Sequence, residues 1–295
     1  MRFLITYILL SVLFCATLFS NNNIKFHTLT PKGGLSYDGI LDIKQDDKGF
    51  IWILIENNIF RFDGYTYKSY NSSFEKNEGE DIGVFINLIS DSNGNLYVST
   101  NKHLYKLDYL RNKFIKLDNI PNKVAYIDKK NRLWSLSIDS IVYVNENNEL
   151  IKPEFTGRKL PISNRIVAEN EDNQDIYLFS SYGQVYKLNE DGKLLDDFIN
   201  VNHLFENESL LCAQIRDNIL WMLTSKFSII QIDLETKQIL LKYNKREISN
   251  VSIRCAYVSN DNKAYFGTMD GLYIIDPEAS TTEHYQNDQT NRFSI

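Results

Sequence analysis

The chain has 295 residues, 43% of them hydrophobic, and a formal charge of −6, enough for one large domain or two ordinary ones. Its Lys and Arg residues form no stripe, so nucleic acid is not an expected partner, and the mild acidic excess reads as solubility. Three Cys and four His, with no Cys-x-x-Cys and no His pair at ligand spacing, argue against zinc; no metal and no cofactor is expected.

The first twenty residues differ in kind from the rest. Arg2 precedes an apolar run from Phe3 to Phe19, followed by Ser20 and Asn21-Asn22-Asn23. A short positive segment, an apolar segment and a polar exit predict a secretory signal over residues 1–20. Leu18 sits where a small residue is usual, so an uncleaved anchor is the alternative. No second stretch reaches spanning length, and residues 24–295 are read as one domain, periplasmic or secreted.

From residue 46 onward a phrase recurs. "DDKGFIWILIENNIFRFDG" places a turn before Trp52, an apolar run, a second turn and a second run. "DSNGNLYVSTNKHLYKLD", "DKKNRLWSLSIDSIVYVN", "EDNQDIYLFSSYGQVYKLN", "RDNILWMLTSKFSIIQID" and "NDNKAYFGTMDGLYIID" repeat it around Tyr97, Trp134, Tyr177, Trp221 and Tyr265. The aromatics are 45, 37, 43, 44 and 44 residues apart. Within the first unit the runs Ile40 to Gln45, Phe50 to Ile55, Ile59 to Asp63 and Tyr65 to Tyr70 read as four strands, with Asp, Asn and Gly at the joints. Four short strands in a unit of about 43 residues are the arithmetic of a propeller blade. The fold expected is all-β, a β-propeller of four-stranded antiparallel blades, six of them visible. In this reading Gly49 and Gly94 serve turns, and Trp52, Tyr97, Trp134, Tyr177, Trp221 and Tyr265 pack between blades.

Two cysteines follow the leader, Cys212 and Cys255, 43 residues apart and at nearly equivalent places in adjacent first strands. They are expected as a buried free pair rather than a bridge. At the far end "EHYQNDQTNRFSI" matches the segment from His27 to Leu35 within one residue, as if a further blade were announced. The expectation is an incomplete seven-bladed ring; a six-bladed ring with a spare N-terminal strand is the alternative.

At residues 26–71 the sequence "FHTLTPKGGLSYDGILDIKQDDKGFIWILIENNIFRFDGYTYKSYN" resembles the first repeat of the two-component regulator propeller family, with its Gly-Leu-Ser, its Asp-x-x-Gly-x-x-Trp and its closing Arg-Phe-Asp-Gly. The resemblance implies the periplasmic sensor part of a hybrid two-component system of Bacteroidetes, detecting glycans or their breakdown products. The family's x-Gly-Thr after the aromatic survives only at Phe266-Gly267-Thr268; Trp52 is followed by Ile53-Leu54-Ile55. No segment resembles a kinase.

Catalysis finds no anchor. Asp47-x-Gly49-x-x-Trp52 also resembles a sialidase Asp-box, itself a structural element, and no acid and nucleophile pair can be chosen for a glycosidase. Asp91-x-Asn93-Gly94-Asn95 carries Lys102 where an EF-hand needs Glu. Asp63, Asp108, Asp233 and Asp276 recur at third-strand ends and read as turn residues. A ligand face is expected at the end of the blades opposite the Asp-Gly turns, with Tyr37, Asp38, Asn57, Arg165, Tyr182, Lys226 and Asp270 as candidate binding residues. Their aromatic, amide and charged mixture suits an oligosaccharide. The function expected is a non-catalytic ligand-sensing module of a two-component regulator, with downstream sensor domains or a homodimer as partners. A secreted propeller of another class, carbohydrate-active or adhesive, is the alternative.

Overall fold

The structure, a computed structural model, describes residues 26, 39–76, 78–118, 120, 124–136, 141–145, 149–152, 166–189, 193–245, 248 and 251–286. The leader, Pro31, and the candidate residues Tyr37, Asp38 and Arg165 lie outside them. Two compact units divide the chain, residues 30–284 and the pair of segments 1–29 and 285–295. In the smaller unit the described residues include Phe26, whose ring stands edge-on to Tyr285 at 5.2 Å.

The larger unit holds six four-stranded antiparallel sheets, each ordered first to fourth as in the sequence. These are six propeller blades following one another around a ring. Blade one comprises Ile40–Gln45, Ile51–Ile55, Asn58–Phe62 and Tyr67–Ser69, within two residues of the expected strands. The first strands of blades two to six are Phe85–Ser90, Val124–Ile127, Val167–Glu169, Leu210–Arg216 and Ile253–Val258. Blade six closes with its own fourth strand, Thr281–Tyr285. Among the described residues the helical content is 3-10 only, at Asn71–Ser73, Asn202–Leu204 and Ile248.

The second strands alternate in the way a sheet buried on both faces requires. In blade one Trp52 and Leu54 turn toward blade two, where they meet Phe85, Leu88, Leu96 and Val98. Tyr97 meets Val124 and Ile127 of blade three, and Trp134 meets Ile176 and Leu178 of blade four. Tyr177 joins Leu210 and Ala213 of blade five, and Trp221 joins Val258, Ala264 and Phe266 of blade six. Five cores therefore fill five seams. Burying each such ring contributes about 1.5–3 kcal/mol relative to exposure, which is why the aromatic position outlasts the sequence around it. Tyr265 departs from the expectation: it is only half-buried, because no following blade covers it among the described residues.

Candidate functional site

Each blade has two ends. At one, a turn joins the first and second strands; at the other, a turn joins the second and third.

The first end is built by an aspartate six residues before the aromatic. Asp46 is buried, and its carboxylate accepts the amides of Lys48 (3.0 Å) and Phe50 (2.9 Å) and the indole N–H of Trp52 (2.7 Å). Tyr109 of blade two donates to the same oxygen at 2.9 Å. Asp91 accepts the amides of Asn93 and Asn95 and the hydroxyl of Tyr97 (2.9 Å). The desolvation of that tyrosine, with Asp91 beside it, pushes its pKa well up. Asp128 accepts the amide and Nε of Arg132 and the indole N–H of Trp134 (2.7 Å). The expected turn at Asp91 is thus a hairpin. The same residues explain the Asp-box likeness, but Asp46, not Asp47, holds the tryptophan. Gly94 has φ +76°, and a Cβ there would lie 2.6 Å from Asp47 of blade one, so this turn is glycine for two reasons.

Two clefts open at this end. One, of about 490 Å³, lies between blades one and two and is lined by Gln45, Asp46, Asp47, Ser90, Asp91 and Asn93 among others. The other, of about 290 Å³, lies between blades four and five beside Asn170, Glu171, Asp172, Arg216, Asp217 and Asn218. Neither had been singled out from the sequence, since both arise where turns of neighbouring blades face one another. Among the described residues no group of three or more His, Cys, Asp or Glu is placed to hold a metal ion.

At the second end, the loop leading into a first strand is tied to the turn between second and third strands. Asn101 N–H donates to Val84 O, Ser225 N–H to Ser209 O and Met269 N–H to Ser252 O. These two loop sets therefore lie together in blades two, five and six. Asn57, Tyr182, Lys226 and Asp270 all fall in these turns. Asn57 and Asp270 are exposed, and Tyr182 is 65% exposed. Lys226 reaches Glu206 O at 3.4 Å. Asp270 accepts the hydroxyl of Tyr273 (3.2 Å), and His284 stacks on that ring with centroids 3.8 Å apart. Each of the four is placed within its own blade, and among the described residues no hydrogen bond joins one to another.

Two polar clusters of this end escaped sequence reading. In blade two, Glu80 pairs with Lys116 and with His103 (3.3 Å), and Asp81 with Lys102 (2.8 Å). Over them the buried Tyr105 hydroxyl has its pKa pushed to about 12 by burial, then by Glu80 and Asp81. In blade five the buried Glu208 accepts from the hydroxyls of Thr224 and Ser228, and Asn244 donates to the latter at 2.6 Å. Ser/Thr-Glu contacts 16 and 20 residues apart leave no local signature.

Both cysteines are free. Cys212 is half-buried, and desolvation with Cys255 nearby pushes its thiol up to about 12. Cys255 is exposed, which corrects the expectation of a buried pair. The turn reading of the third-strand carboxylates holds: Asp63 Oδ1 accepts the amides of Tyr65 and Thr66, and Asp108, Asp233 and Asp276 repeat the arrangement.

No protein-family model matches the chain. A curated protein, Histidine kinase P4 of Formosa agariphila, is 37% identical over 68 residues, which is 23% of this chain and 5% of that protein. Among solved structures, the extracellular domain of the putative hybrid two-component system BT4673 from B. thetaiotaomicron superposes with TM-score 0.69 at 19% identity, over 92% of this chain and 35% of that one. The corresponding domain of BT3049 gives 0.63 at 19% identity, over 92% and 38%. A catalytically inactive virginiamycin B lyase from Staphylococcus aureus gives 0.63 at 14% identity, over 86% of each chain. The chain thus spans about a third of the two-component structures and a small fraction of the kinase it matches. At these identities the superpositions establish the propeller fold.

Proposed function

We propose that this chain is the ligand-sensing propeller, or part of it, of a two-component regulator, working outside the cytoplasmic membrane and without catalysis of its own. The observation that carries the reading is the coincidence of two independent likenesses. The chain's fold is shared with extracellular domains of two hybrid two-component systems, and its sequence matches a segment of a histidine kinase. The predicted signal over residues 1–20 supports export. No helix among the described residues is long and apolar enough to cross a membrane, so in this reading a kinase would act through further domains.

The ligand we infer is an oligosaccharide, taken at the end of the blades that carries Asn57, Tyr182, Lys226 and Asp270, together with Tyr37, Asp38 and Arg165. Exposed aromatic, amide and charged side chains on varied turns over a constant frame support this face: rings cover sugar faces, and amides and charges meet hydroxyls and carboxylates. Calorimetry with a panel of neutral and acidic oligosaccharides tests it. Binding is expected for the wild-type chain and a loss of at least about tenfold, roughly 1.4 kcal/mol, for a variant with Tyr37, Arg165 and Tyr182 changed to Ala. Unchanged affinity in that variant would remove the face, and cleavage of the bound sugar would replace the sensor with an enzyme.

A further inference from the structure

Blades two and five can be compared place by place through their pairing. In both, two lysines hold the loop that enters the blade, one from the turn between second and third strands and one from the fourth strand. In blade two Lys102 pairs with Asp81 and Lys116 with Glu80. In blade five Lys226 reaches Glu206 O, and Lys242 pairs with the Glu206 carboxylate at 3.6 Å. Lys116 stands opposite Tyr105 of the third strand, and Lys242 opposite Ile230. Tyr105 and Ile230 thus hold the same place in the ladder.

A loop clasped by lysines asks nothing polar of that place, since Ile230 fills it in blade five and is fully buried. Blade two has a tyrosine there instead. Tyr105 is 0% exposed, and its hydroxyl oxygen is buried with no hydrogen-bond partner. Blade six also has a tyrosine at this place, Tyr273, but its hydroxyl donates to Asp270. A buried donor left unbonded is costly, and phenylalanine would fill the space without that cost. Beside the Tyr105 ring stand two nitrogen groups. The His103 ring is edge-on to it at 6.0 Å, and Lys116 faces it across the ladder. His103 Nε2 lies 3.3 Å from Glu80 Oε1, and Lys116 Nζ pairs with the same oxygen.

We propose that Tyr105, His103 and Lys116 form a binding subsite for an anionic group, a carboxylate or a sulfate ester, and that Glu80 occupies it as a built-in stand-in until a ligand arrives. The arriving anion exchanges for the Glu80 carboxylate, so Lys116 keeps a negative partner throughout and Glu80 is released to water. An anion with a further oxygen also meets the Tyr105 hydroxyl, which Glu80 leaves unbonded. The loop has places to give way. Gly79 and Gly83 flank Glu80 and Asp81 with φ of +77° and +87°. The exchange also lies near the surface, since the Glu80, His103 and Lys116 side chains are 19%, 24% and 24% exposed. That the group belongs to an acidic sugar rests on the function proposed above; the subsite itself does not.

Inorganic sulfate tests the subsite without any sugar. Sodium sulfate is titrated at constant ionic strength, balanced with sodium chloride, and binding is followed by backbone amide NMR. Glu80→Gln removes the competing carboxylate at nearly constant size, so sulfate should bind this variant at least about tenfold more tightly than the wild type. The shifted amides should lie in the entry loop around Glu80, the turn around His103 and the fourth strand around Lys116. Adding Tyr105→Phe should weaken sulfate binding by about tenfold, as loss of a hydrogen bond to a charged group does. The same change should leave the melting temperature without sulfate unchanged or higher, because an orphaned hydroxyl goes. Adding Lys116→Met should abolish binding.

The proposal is overturned if sulfate binds Glu80→Gln no more tightly than the wild type, or if Tyr105→Phe leaves the affinity unchanged. Should Glu80→Gln not fold, the wild type decides. Saturable shifts around Glu80, His103 and Lys116 that Tyr105→Phe removes support the subsite, and their absence overturns it. A neutral oligosaccharide that binds the wild type and Glu80→Gln alike, while sulfate binds neither, removes the subsite and leaves the ligand face standing. Sulfate bound as expected, with no oligosaccharide bound at all, does the reverse.

Discussion

In blades one to three, the residue that follows the first strand's pairing is Asp46, Asp91 or Asp128, and each captures the polar atom of the aromatic six residues on. In blades four and six the same place holds Asn170 and Ser259, which serve their own turns. Blade five has dispensed with the place altogether. Arg216 pairs directly with Ile219, and the two residues between them, Asp217 and Asn218, have φ of 46° and 60°, a tight hairpin turn of the kind that matches strand twist. Arg216 then reaches across to Ser259 O and the side chain of Asn260 in blade six. The aromatic is buried in blades four and five all the same. The comparison teaches that packing between blades fixes the aromatic, whereas the aspartate is one of several ways to end the first strand and satisfy what lies beside it.

That contrast can be broken most severely at Asp128. Its carboxylate and the Arg132 guanidinium are buried together, so Asp128→Ala takes a close anionic partner from a buried cation and leaves an orphaned indole N–H. A loss of about 3–5 kcal/mol in urea unfolding is expected. Asp46→Ala strands two amides, an indole and the Tyr109 hydroxyl, without a buried cation. It should cost less, about 1–3 kcal/mol, measured in the same way. Asn218→Ala and Asn218→Gly both lose the bond from Asn170, but only the alanine must also hold an ordinary residue in the left-handed conformation, so it should be less stable than the glycine variant by about 1–2 kcal/mol; the pair tests whether blade five stands on its hairpin.

The smallest effect sharpens the comparison from the side where the halves agree. Asp63 in blade one and Asp233 in blade five accept backbone amides at the next joint, chiefly from Thr66 and Thr236, and these bonds hold both carboxyls below the usual carboxylate range. A folded-state pKa below the unfolded one means the contribution is present above the unfolded value and is lost as the pH falls through the folded one. The difference in melting temperature between the wild type and the Asp63→Asn, Asp233→Asn double variant should therefore be constant near neutrality and shrink in acid, below about pH 4.

Much of the fold was legible because it is written in local chemistry. The spacing of aromatics, the period-two runs and the Asp, Asn and Gly joints placed the four strands of blade one within two residues. The anchoring aspartates were visible as turn residues, but their second task was not, since nothing in the sequence says that a turn carboxylate also faces an indole. Blade five's hairpin left a faint trace: Cys212 lies nine residues before Trp221, while Cys255 lies ten before Tyr265. Exposure is where local reading stops. Ile43 and Leu88 are the same kind of residue at the same ladder position, and only a neighbouring blade decides which is buried. Turn counting put Asn57, Tyr182, Lys226 and Asp270 at one end of their blades, whereas the clusters around Glu80 and Glu208 depend on side chains brought together from separate strands.

The hydrogen bonds that stitch one blade to the next carry one more consequence. Asp42 to Leu88, Ser92 to Asn131, Tyr126 to Glu169, Asn170 to Asn218 and Arg216 to Ser259 span 46, 39, 43, 48 and 43 residues. Each of these reaches about one repeat, and the longer bond of Tyr109 to Asp46 still joins adjacent blades, so among the described residues each blade is stitched to the one beside it. A chain emerging N-terminus first from the ribosome can lay blade upon blade in the order of synthesis. Pulled from its ends, it should yield in steps of one repeat rather than all at once, a sawtooth that a force measurement would count.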